Sequence, residues 1–445
     1  MDMKLSWLFI FLGATMMVSY VFIFLLLLLL SPTKVRISNS MLLIYNLVVR
    51  FYFILIFIAS FFNKKAKFWI NGRKKVNYQN FQKSAWFHFA SLGEYEQGLP
   101  VLIRFRSDHP NVKIVITFFS PSGYEIRKNT PYADAVYYLP LDTAANASHF
   151  IDTINPSIAV FTKYEYWYHF FNELHRRNIP LYMISSIFRR GQVFFKWYGG
   201  LHRRMLTFVS HFFVQDEDSK ILLQQLGITQ VTVSGDTRFD RVWANAKEPK
   251  SVPGINEFKN GRKLFIAGST WPEDEQLVAQ LVKDHPHWKF IFAPHEISEE
   301  KIANLISLLP ANTIKYSQLT AGNSPNTTHQ TLIIDNIGML SSLYQYADIA
   351  YIGGGFGAGI HNTLEAAAFG LPVIFGPNYD KFKEAKDLIA LQTGFSISNE
   401  GELKKIFSFL VEDEKRHHSI SQKTTDYVRN HTGATETIMV YLINS

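Results

Sequence analysis

The sequence predicts an α/β protein in which two doubly wound, Rossmann-like domains face one cleft behind an N-terminal membrane anchor. Three observations predict it: a long uncharged apolar run near the start, two successive series of apolar strands alternating with helical patterns, and a polar segment between those series. At 445 residues the chain is also too long for one ordinary hydrophobic core. We therefore expect two domains beyond any membrane segment.

The composition is that of a folded protein with an anionic partner. Hydrophobic residues make up 47% of the chain, and the formal net charge is +8. A basic balance is typical of proteins that meet nucleic acid, a phospholipid surface or a phosphorylated substrate, and composition alone leaves these three open. The chain has 0 cysteines, which excludes disulfides, thiolate zinc sites and cysteine nucleophiles. The absence of cysteine also favours a cytoplasmic location.

The first 40 residues are predicted to hold a transmembrane segment or N-terminal extension. Leu5 to Leu30 is nearly all apolar and uncharged, and about 20 such residues suffice to cross a bilayer. A signal peptide is the alternative, but the apolar region is long for one and Ser31-Pro32-Thr33-Lys34 lacks a small-x-small cleavage site.

Residues 41–75 are predicted to form a membrane-associated helix and a basic collar. Met41 to Phe62 is a second apolar stretch with Arg50 in its middle, and such a charge at mid-bilayer costs about 3 kcal/mol. An interfacial helix and a second span both remain open. We expect the collar to lie against anionic lipids and to keep the domains that follow on the cytoplasmic face. It consists of Lys64, Lys65, Lys67, Arg73, Lys74 and Lys75.

Two runs of βαβ pattern follow, at residues 76–250 and 251–445, with the last helix a candidate to pack back on the N-terminal domain. The polar segment Lys247–Arg262, with two prolines and two glycines, is the predicted linker. The first set of predicted strands is 85–90, 112–119, 135–139, 158–161, 181–184, 208–214 and 231–234. The second set is 263–267, 288–293, 331–334, 349–352 and 372–375.

Open α/β sheets bind ligands beyond the carboxyl ends of their strands, so the loops there are the candidate sites. The stretch from Gly353 to Gly359 has five glycines between a strand and a helix, which would let the backbone approach a ligand, and a helix N-terminus favours anions. The spacing matches neither GxGxxG nor a P-loop. Asn362 and Glu365 could equally form a capping box with no ligand.

Five motifs in this order resemble the 3-deoxy-D-manno-octulosonic acid (Kdo) transferases of lipopolysaccharide synthesis, from about Met41 to the C-terminus. They are Ser91-Leu-Gly-Glu94, Lys163-Tyr-Glu-Tyr-Trp167, Ser234-Gly-Asp-Thr-Arg-Phe-Asp240, Ala267-Gly-Ser-Thr270 and the segment from Gly353 to Glu365. The resemblance implies a GT-B glycosyltransferase of the inner membrane. It would be inverting and would move Kdo from CMP-Kdo onto the lipid A precursor lipid IVA, without nucleic acid, metal or cofactor.

Three catalytic residues follow from the resemblance. Glu94 matches the family's general base; a first-turn carboxylate favoured by the helix dipole is the alternative. Glu165 matches a transition-state stabiliser, with an ion pair to Lys163 or an arginine as its alternative. Arg238 matches a second stabiliser, where many relatives carry lysine, and its alternative is a salt bridge with a neighbouring aspartate, Asp236 or Asp240.

The resemblance also implies a CMP-binding set in the second domain. Two members depart from the family's pattern. Met339 stands where an acidic residue is common, and no arginine precedes His295. Either His295 itself or Ser269 and Thr270 could make the phosphate contact of that arginine. The implied residues are Ser269, Thr270, Pro294, His295, Ile337, Gly338, Met339, Asn362, Thr363, Leu364 and Glu365.

Three further interpretations stay open at this point. The aromatic run from Tyr166 to Phe171 could seat acyl chains of the acceptor or simply belong to the core. A GT-B transferase using another nucleotide sugar would carry a similar glycine-rich loop. A non-catalytic membrane-tethered nucleotide- or lipid-binding protein would explain the anchor and the charge.

Overall fold

The computed structural model describes residues 37–74, 76–320 and 328–443. The predicted anchor Leu5–Leu30 and collar residue Lys75 lie outside them. Two compact units divide the chain: the first contains residues up to Thr237 and the segment from Gly433 onward, and the second is Arg238–Thr432. The division falls before the boundary expected at residue 250, so the helix that begins at Thr237 goes with the second unit, and the last helix belongs to the first.

The first unit is built on one parallel sheet. Its strand order is β3-β2-β1-β4-β5-β6-β7, so the order reverses between β1 and β4. Every residue of β1 and β5 is buried, as expected for a parallel sheet covered by helices on both faces. The strands are β1 (Ser84–Phe89), β2 (Lys113–Phe118), β3 (Ala135–Tyr138), β4 (Pro156–Thr162), β5 (Leu181–Ser186), β6 (His211–Val214) and β7 (Val231–Val233).

The helices of the first unit begin where the sequence supplies caps. Thr143 accepts the N–H of Asn146 ahead of α5, and Asp216 accepts that of Ser219 ahead of α8. Among the described residues the helices are α1 (Ile37–Ala59), α2 (Lys64–Asn71), α3 (Leu92–Asp108), α4 (Pro121–Arg127), α5 (Ala144–Ile154), α6 (Tyr168–Arg176), α7 (Gly200–Leu206) and α8 (Glu217–Gln225).

Helix α1 packs one face on the first unit and exposes the other. Within the described chain, its segment Ser40–Ala59 is the one helix long and apolar enough to cross a membrane. Tyr45 donates to the buried Asp142, and the ring of His169 bonds to Asn46 at 2.6 Å. The opposite face and the turn after it expose large apolar side chains, among them Leu43, Leu47, Phe51, Ile54, Ile58, Phe61 and Phe62.

The predicted basic collar is only partly a surface feature. Lys64, Lys65 and Lys67 on α2 are exposed, and so is Lys74. The guanidinium of Arg73 instead donates to the backbone carbonyl oxygens of Leu139, Phe119 and Trp69. It also lies 3.8 Å from the ring centroid of Trp69. Burial lowers the pKa of Arg73 to about 9, so the assignment of this residue to a lipid-facing collar is wrong.

The second unit repeats the architecture with strand order β10-β11-β9-β8-β12-β13-β14, all parallel. The order reverses between β8 and β12. The strands are β8 (Leu264–Thr270), β9 (Lys289–Pro294), β10 (Thr313–Lys315), β11 (Thr331–Ile333), β12 (Ile349–Ile352), β13 (Val373–Phe375) and β14 (Gly394–Ser396).

Helices cover both faces of this second sheet, and the chain then returns to the first unit. Within the described residues the helices of the second unit are α9 (Thr237–Lys247), α10 (Ile255–Lys259), α11 (Pro272–Asp284), α12 (Glu299–Leu308), α13 (Tyr316–Thr320), α14 (Leu340–Leu343), α15 (Leu364–Ala367), α16 (Lys383–Ala390), α17 (Glu400–Val411) and α18 (Glu414–Asn430). Helix α19 (Ala434–Ile443) packs on α3 of the first unit through Ile438, Met439 and Leu442.

Candidate active site

Glu94 lies in the first turn of α3, directly beyond the end of β1. Ser91 precedes the helix in extended backbone and makes no side-chain cap. Its hydroxyl donates to Oε2 of Glu94 instead. The carboxylate is half-buried and does not cap the backbone, while Glu96, two residues on, pairs with Arg127 at 2.7 Å. Glu94 is therefore a solvent-accessible carboxylate held by one hydroxyl.

Glu165 lies in the loop that follows β4. Its Oε2 accepts two N–H groups, from Trp167 Nε1 at 2.9 Å and from His88 Nε2 at 3.3 Å. The ion pair with Lys163 is not among its bonds in the described chain. Since β1 and β4 are the strands between which the sheet order reverses, Glu94 and Glu165 follow the two strands where such folds bind ligands.

Arg238 lies in α9, at the beginning of the second unit. Its Nη1 pairs with Oε1 of Glu384 at 2.9 Å, and the Glu384 side chain is 7% exposed. Asp236, one of the partners expected from the sequence, accepts a hydrogen bond from Gln97 Nε2 at 2.8 Å, and both residues belong to the first unit. The guanidinium is thus oriented by a buried carboxylate near the start of α16.

The candidate donor-binding residues of the second unit gather at the carboxyl edge of its sheet. Ser269 and Thr270 end strand β8, where the sequence predicts a loop, and Ser269 has a φ of 54°. The hydroxyl of Thr270 is buried and donates to Glu275 at 3.0 Å. A Cβ on Gly353, after β12, would meet Ser269 O at 2.3 Å. The glycine therefore permits the two switch-point segments to touch.

Asp274 holds the glycine-rich loop in place. Its carboxylate accepts the N–H groups of Gly354 and Trp271, each at 2.9 Å, and the hydroxyl of Tyr351 at 2.6 Å. The side chain is 1% exposed, and burial raises its pKa. Gly354 adopts a φ of 91°, a left-handed conformation that favours glycine. The buried carboxylate of Asp274 thus fixes the conformation of the glycine-rich loop through these hydrogen bonds.

Three rings stack beside this loop. The ring of His295, at the end of β9, stacks on Trp271 at 5.0 Å and on His361 at 4.2 Å, with interplanar angles of 25° and 23°. The indole Nε1 of Trp271 donates to His361 Nε2 at 3.2 Å. Burial lowers the pKa of His361 to about 4 and also lowers that of His295. Neither imidazole therefore supplies, at neutral pH, the fixed charge of the absent arginine.

Asn362 and Glu365 form a local motif that differs from a full capping box. Asn362 Oδ1 accepts the N–H of Leu364 at 3.1 Å, and its Nδ2 donates to Glu365 Oε1 at 3.1 Å. Burial raises the pKa of Glu365. Thr363 and Leu364 are both 0% exposed, whereas Asn362 and Glu365 are half-buried and are the accessible members of the motif. Helix α15 has 4 residues, which leaves little helix dipole for an anion.

The segment Ile337-Gly338-Met339 follows β11 and precedes α14. Ile337 is 91% exposed, and Gly338 has a φ of 97°. Leu340, next in the chain, packs beside Gly268 of β8. This segment thus reaches the same carboxyl edge as the glycine-rich loop.

Comparison with known proteins shows which family this arrangement resembles. Residues 63–241 match the family model described as 3-deoxy-D-manno-octulosonic-acid transferase (kdotransferase). A transferase of that name from Chlamydophila psittaci is 28% identical over 366 residues, which are 79% of this chain and 83% of the relative. One from Haemophilus influenzae is 27% identical over 67% of this chain and 72% of its own length. The chain is therefore similar to Kdo transferases over most of its length.

As a Kdo transferase relative, the chain is an enzyme of the glycosyltransferase class, and its two parallel sheets have the GT-B-like fold. The UDP-GlcNAc 2-epimerase of Neisseria meningitidis superposes with a TM-score of 0.58 at 14% identity, over 82% of this chain and 100% of the epimerase. That likeness concerns the fold alone. The segment that matches the Kdo transferase model contains Glu94, Glu165 and Arg238.

Several side chains of this Kdo transferase relative support the site without having been predicted from its sequence. They are His88, Trp271, Asp274 and His361. The signal for His88 is a polar residue inside the otherwise apolar strand β1, where each residue is buried. The aromatic run belongs to the core, since Tyr168, Phe170 and Phe171 are buried. Within the described residues no three His, Asp or Glu side chains gather as a metal site.

Proposed function

We propose that the chain transfers Kdo from CMP-Kdo to lipid IVA with inversion at the anomeric carbon, in lipopolysaccharide synthesis. The observation that carries the proposal is the position of Glu94 and Glu165, which follow the two strands at the switch point of the unit that matches the Kdo transferase model. We assign acceptor chemistry to the first unit and donor binding to the second.

In the proposed step Glu94 accepts the proton of an acceptor hydroxyl as that oxygen attacks the Kdo anomeric carbon. The bond from this carbon to the CMP phosphate breaks, and the phosphate leaves with the electron pair. Glu165 stabilises the positive charge that develops on the sugar. The hydroxyl of Ser91 keeps the carboxylate of Glu94 directed, because it donates to one of its two oxygens.

Donor binding in this proposal uses backbone and side-chain groups at the carboxyl edge of the second sheet. N–H groups of the glycine-rich loop and Arg238 meet the phosphate, and Asn362 with Glu365 meets the ribose hydroxyls. The pair between Arg238 and Glu384 directs the guanidinium, which carries five donors in a planar fork. Charge on the departing phosphate is met by these groups, so the proposal requires no metal or cofactor.

We place the enzyme at the cytoplasmic face of the inner membrane, against anionic lipids. Helix α1 has one face packed on the first unit and one exposed apolar face, which favours a helix lying in the interface over a second span. The exposed lysines of α2 follow directly in the chain and suit anionic headgroups.

The test is Kdo transfer to tetraacylated lipid IVA by the full chain in detergent, read by mass spectrometry of the lipid. We expect wild type to add Kdo and Glu94→Gln to lose at least about 100-fold in rate while still binding CMP. Glu96→Gln is the matched control, because it removes a neighbouring carboxylate that pairs with Arg127. It should keep its activity.

Each other result has a definite meaning. If wild type does not use CMP-Kdo, the donor is wrong and other nucleotide sugars are indicated. Full activity in Glu94→Gln would remove Glu94 as the base, and equal losses in both variants would point to damage of α3. Nucleotide binding without transfer to any acceptor would revive the non-catalytic alternative.

A further inference from the structure

A chain of buried polar groups leads from the interior of the first sheet to Glu165. His88 is 0% exposed in β1. Its Nδ1 lies 2.8 Å from Thr117 Oγ1 of β2, and its Nε2 lies 3.3 Å from Glu165 Oε2. Trp86 Nε1 also lies 2.8 Å from Thr117 Oγ1. These groups come from neighbouring strands and end at one carboxylate oxygen.

The direction of the hydrogen bonds follows from the chemistry of the groups. Trp86 Nε1 can only donate, so Thr117 Oγ1 accepts from it and has its own hydrogen to give to Nδ1 of His88. The carboxylate of Glu165 accepts, which places a proton on Nε2 of His88. The strands thus fix both the ring plane and the nitrogen that faces Glu165.

A second donor reaches the same oxygen from the loop. Trp167 Nε1 donates to Glu165 Oε2 at 2.9 Å, so both N–H groups converge on Oε2. Within the described residues Oε1 of Glu165 accepts no hydrogen bond, and the side chain is 16% exposed. One oxygen is therefore held by two N–H groups, and the other makes no hydrogen bond to the described residues.

We propose that His88 and Trp167 are positioning residues that bind Oε2 of Glu165 and leave Oε1 directed at the reacting sugar, an inference that rests on the proposed function. Burial at the end of a parallel sheet makes this arrangement rigid, because His88 and Thr117 belong to paired strands. A carboxylate held at one oxygen stabilises developing positive charge without first reorganising. His88 acts through Glu165 and does not touch substrate.

The test compares His88→Leu with His88→Gln in the transfer assay, using the full chain. Leucine fills the space without a donor, and glutamine places an amide N–H near the position of Nε2. We expect His88→Leu to lower kcat roughly 10-fold to 100-fold, as removal of groups that orient a functional side chain does. KM for CMP-Kdo should stay unchanged, and His88→Gln should recover most of the rate.

A double-mutant cycle separates positioning from a general structural effect. In a Glu165→Gln background, His88→Leu should cost no further rate, because its effect passes through the carboxylate. A loss of equal size in both backgrounds would overturn the proposal, and so would a glutamine variant as poor as the leucine one at equal thermal stability. If His88→Leu does not fold, Trp167→Phe decides: an unchanged kcat would overturn the proposal.

A readout that needs no catalysis keeps this inference apart from the proposed function. The indole N–H proton of Trp167, identified in ¹⁵N-tryptophan-labelled protein by its absence in Trp167→Phe, should move upfield in Glu165→Gln because the charged acceptor is lost. If wild type transfers no Kdo but the resonance shifts in Glu165→Gln, the proposed function is rejected and the hydrogen bond between Trp167 and Glu165 is retained. An unmoved resonance would reject the pair itself.

Discussion

At the scale of single residues, the two proposed catalytic carboxylates have different surroundings. Glu94 receives one hydroxyl from Ser91 in its own helical turn, whereas Glu165 receives two N–H groups, one from the interior of the sheet. A group that must take up a proton has to remain accessible, and a group that stabilises charge gains from being fixed. The two environments suit the two proposed roles.

The buried ring of His361 predicts a pH dependence of stability. Its pKa is about 4 in the folded chain, against an ordinary value of 6.5. The unfolded chain therefore takes up the proton at higher pH than the folded chain. The contribution of the neutral ring to the free energy of unfolding is complete above pH 6.5 and is lost as the pH falls towards 4. Between pH 7.5 and pH 5 we expect His361→Asn to lose about 2 kcal/mol less unfolding free energy than wild type.

Urea unfolding of both proteins at the two pH values measures this difference. His418→Asn is the matched control, because His418 is exposed on α18, and it should follow wild type. Equal losses in wild type and His361→Asn would show that the ring takes up its proton in the folded chain as readily as in the unfolded one.

The sequence predicted those site residues that belong to motifs, and it missed those whose role depends on partners from other elements. Glu94, Glu165 and the glycine-rich loop follow strands and belong to motifs, so position and resemblance both pointed to them. His88 and Asp274 act through partners on other elements, Thr117 and the N–H of Gly354, and no spacing along the chain shows such contacts. The roles of all these residues in catalysis or binding stay predictions.

At the scale of elements, helix α3 lies so close to the sheet at Gly98 that no side chain would fit there. A Cβ on Gly98 would lie 2.4 Å from Phe89 Cε1 and 2.9 Å from Thr162 Oγ1. These atoms belong to β1 and β4, the strands that lead to Glu94 and Glu165. The close approach therefore helps to set where both loops begin.

Gly98→Ala should destabilise the first unit by about 1–3 kcal/mol through overpacking, despite the better helix propensity of alanine. Gly93→Ala in the same helix is the control, since the nearest neighbour of a Cβ at that position, Ser91 Oγ, is 3.7 Å away. It should be neutral or slightly stabilising. Thermal unfolding of the two variants checks the contrast, and equal effects would contradict the close approach.

The elements that the sequence missed share a physical reason. Strands β10 (Thr313–Lys315) and β14 (Gly394–Ser396) are short edge strands with mostly half-buried residues, so no apolar run marks them. Central strands such as β1 and β9 are long and buried and were predicted to within a residue or two. Strand β8 runs on through Ser269 and Thr270 because the pairing continues past a bulge.

At the scale of the whole molecule, the exposed apolar face of helix α1 predicts which residues contact the membrane. A photoreactive hydrophobic lipid probe in vesicles containing anionic lipid should label the exposed side chains Leu47, Ile54 and Phe62. It should not label Ile44 or Ile56, which are 2% and 0% exposed. Peptide mass spectrometry after digestion locates the labels. Labels on both faces of the helix would indicate a lipid-surrounded span instead.

The return of α19 (Ala434–Ile443) to the first unit has a consequence for synthesis. Ile438, Met439 and Leu442 complete the apolar cluster between α3 and the sheet, and the ring of Tyr441 packs on those of His211 and Phe213. The ribosome makes these residues only after it has made every strand of the second unit. The first unit, although most of it is translated earlier, therefore cannot complete its apolar cluster until the whole second unit has been synthesised.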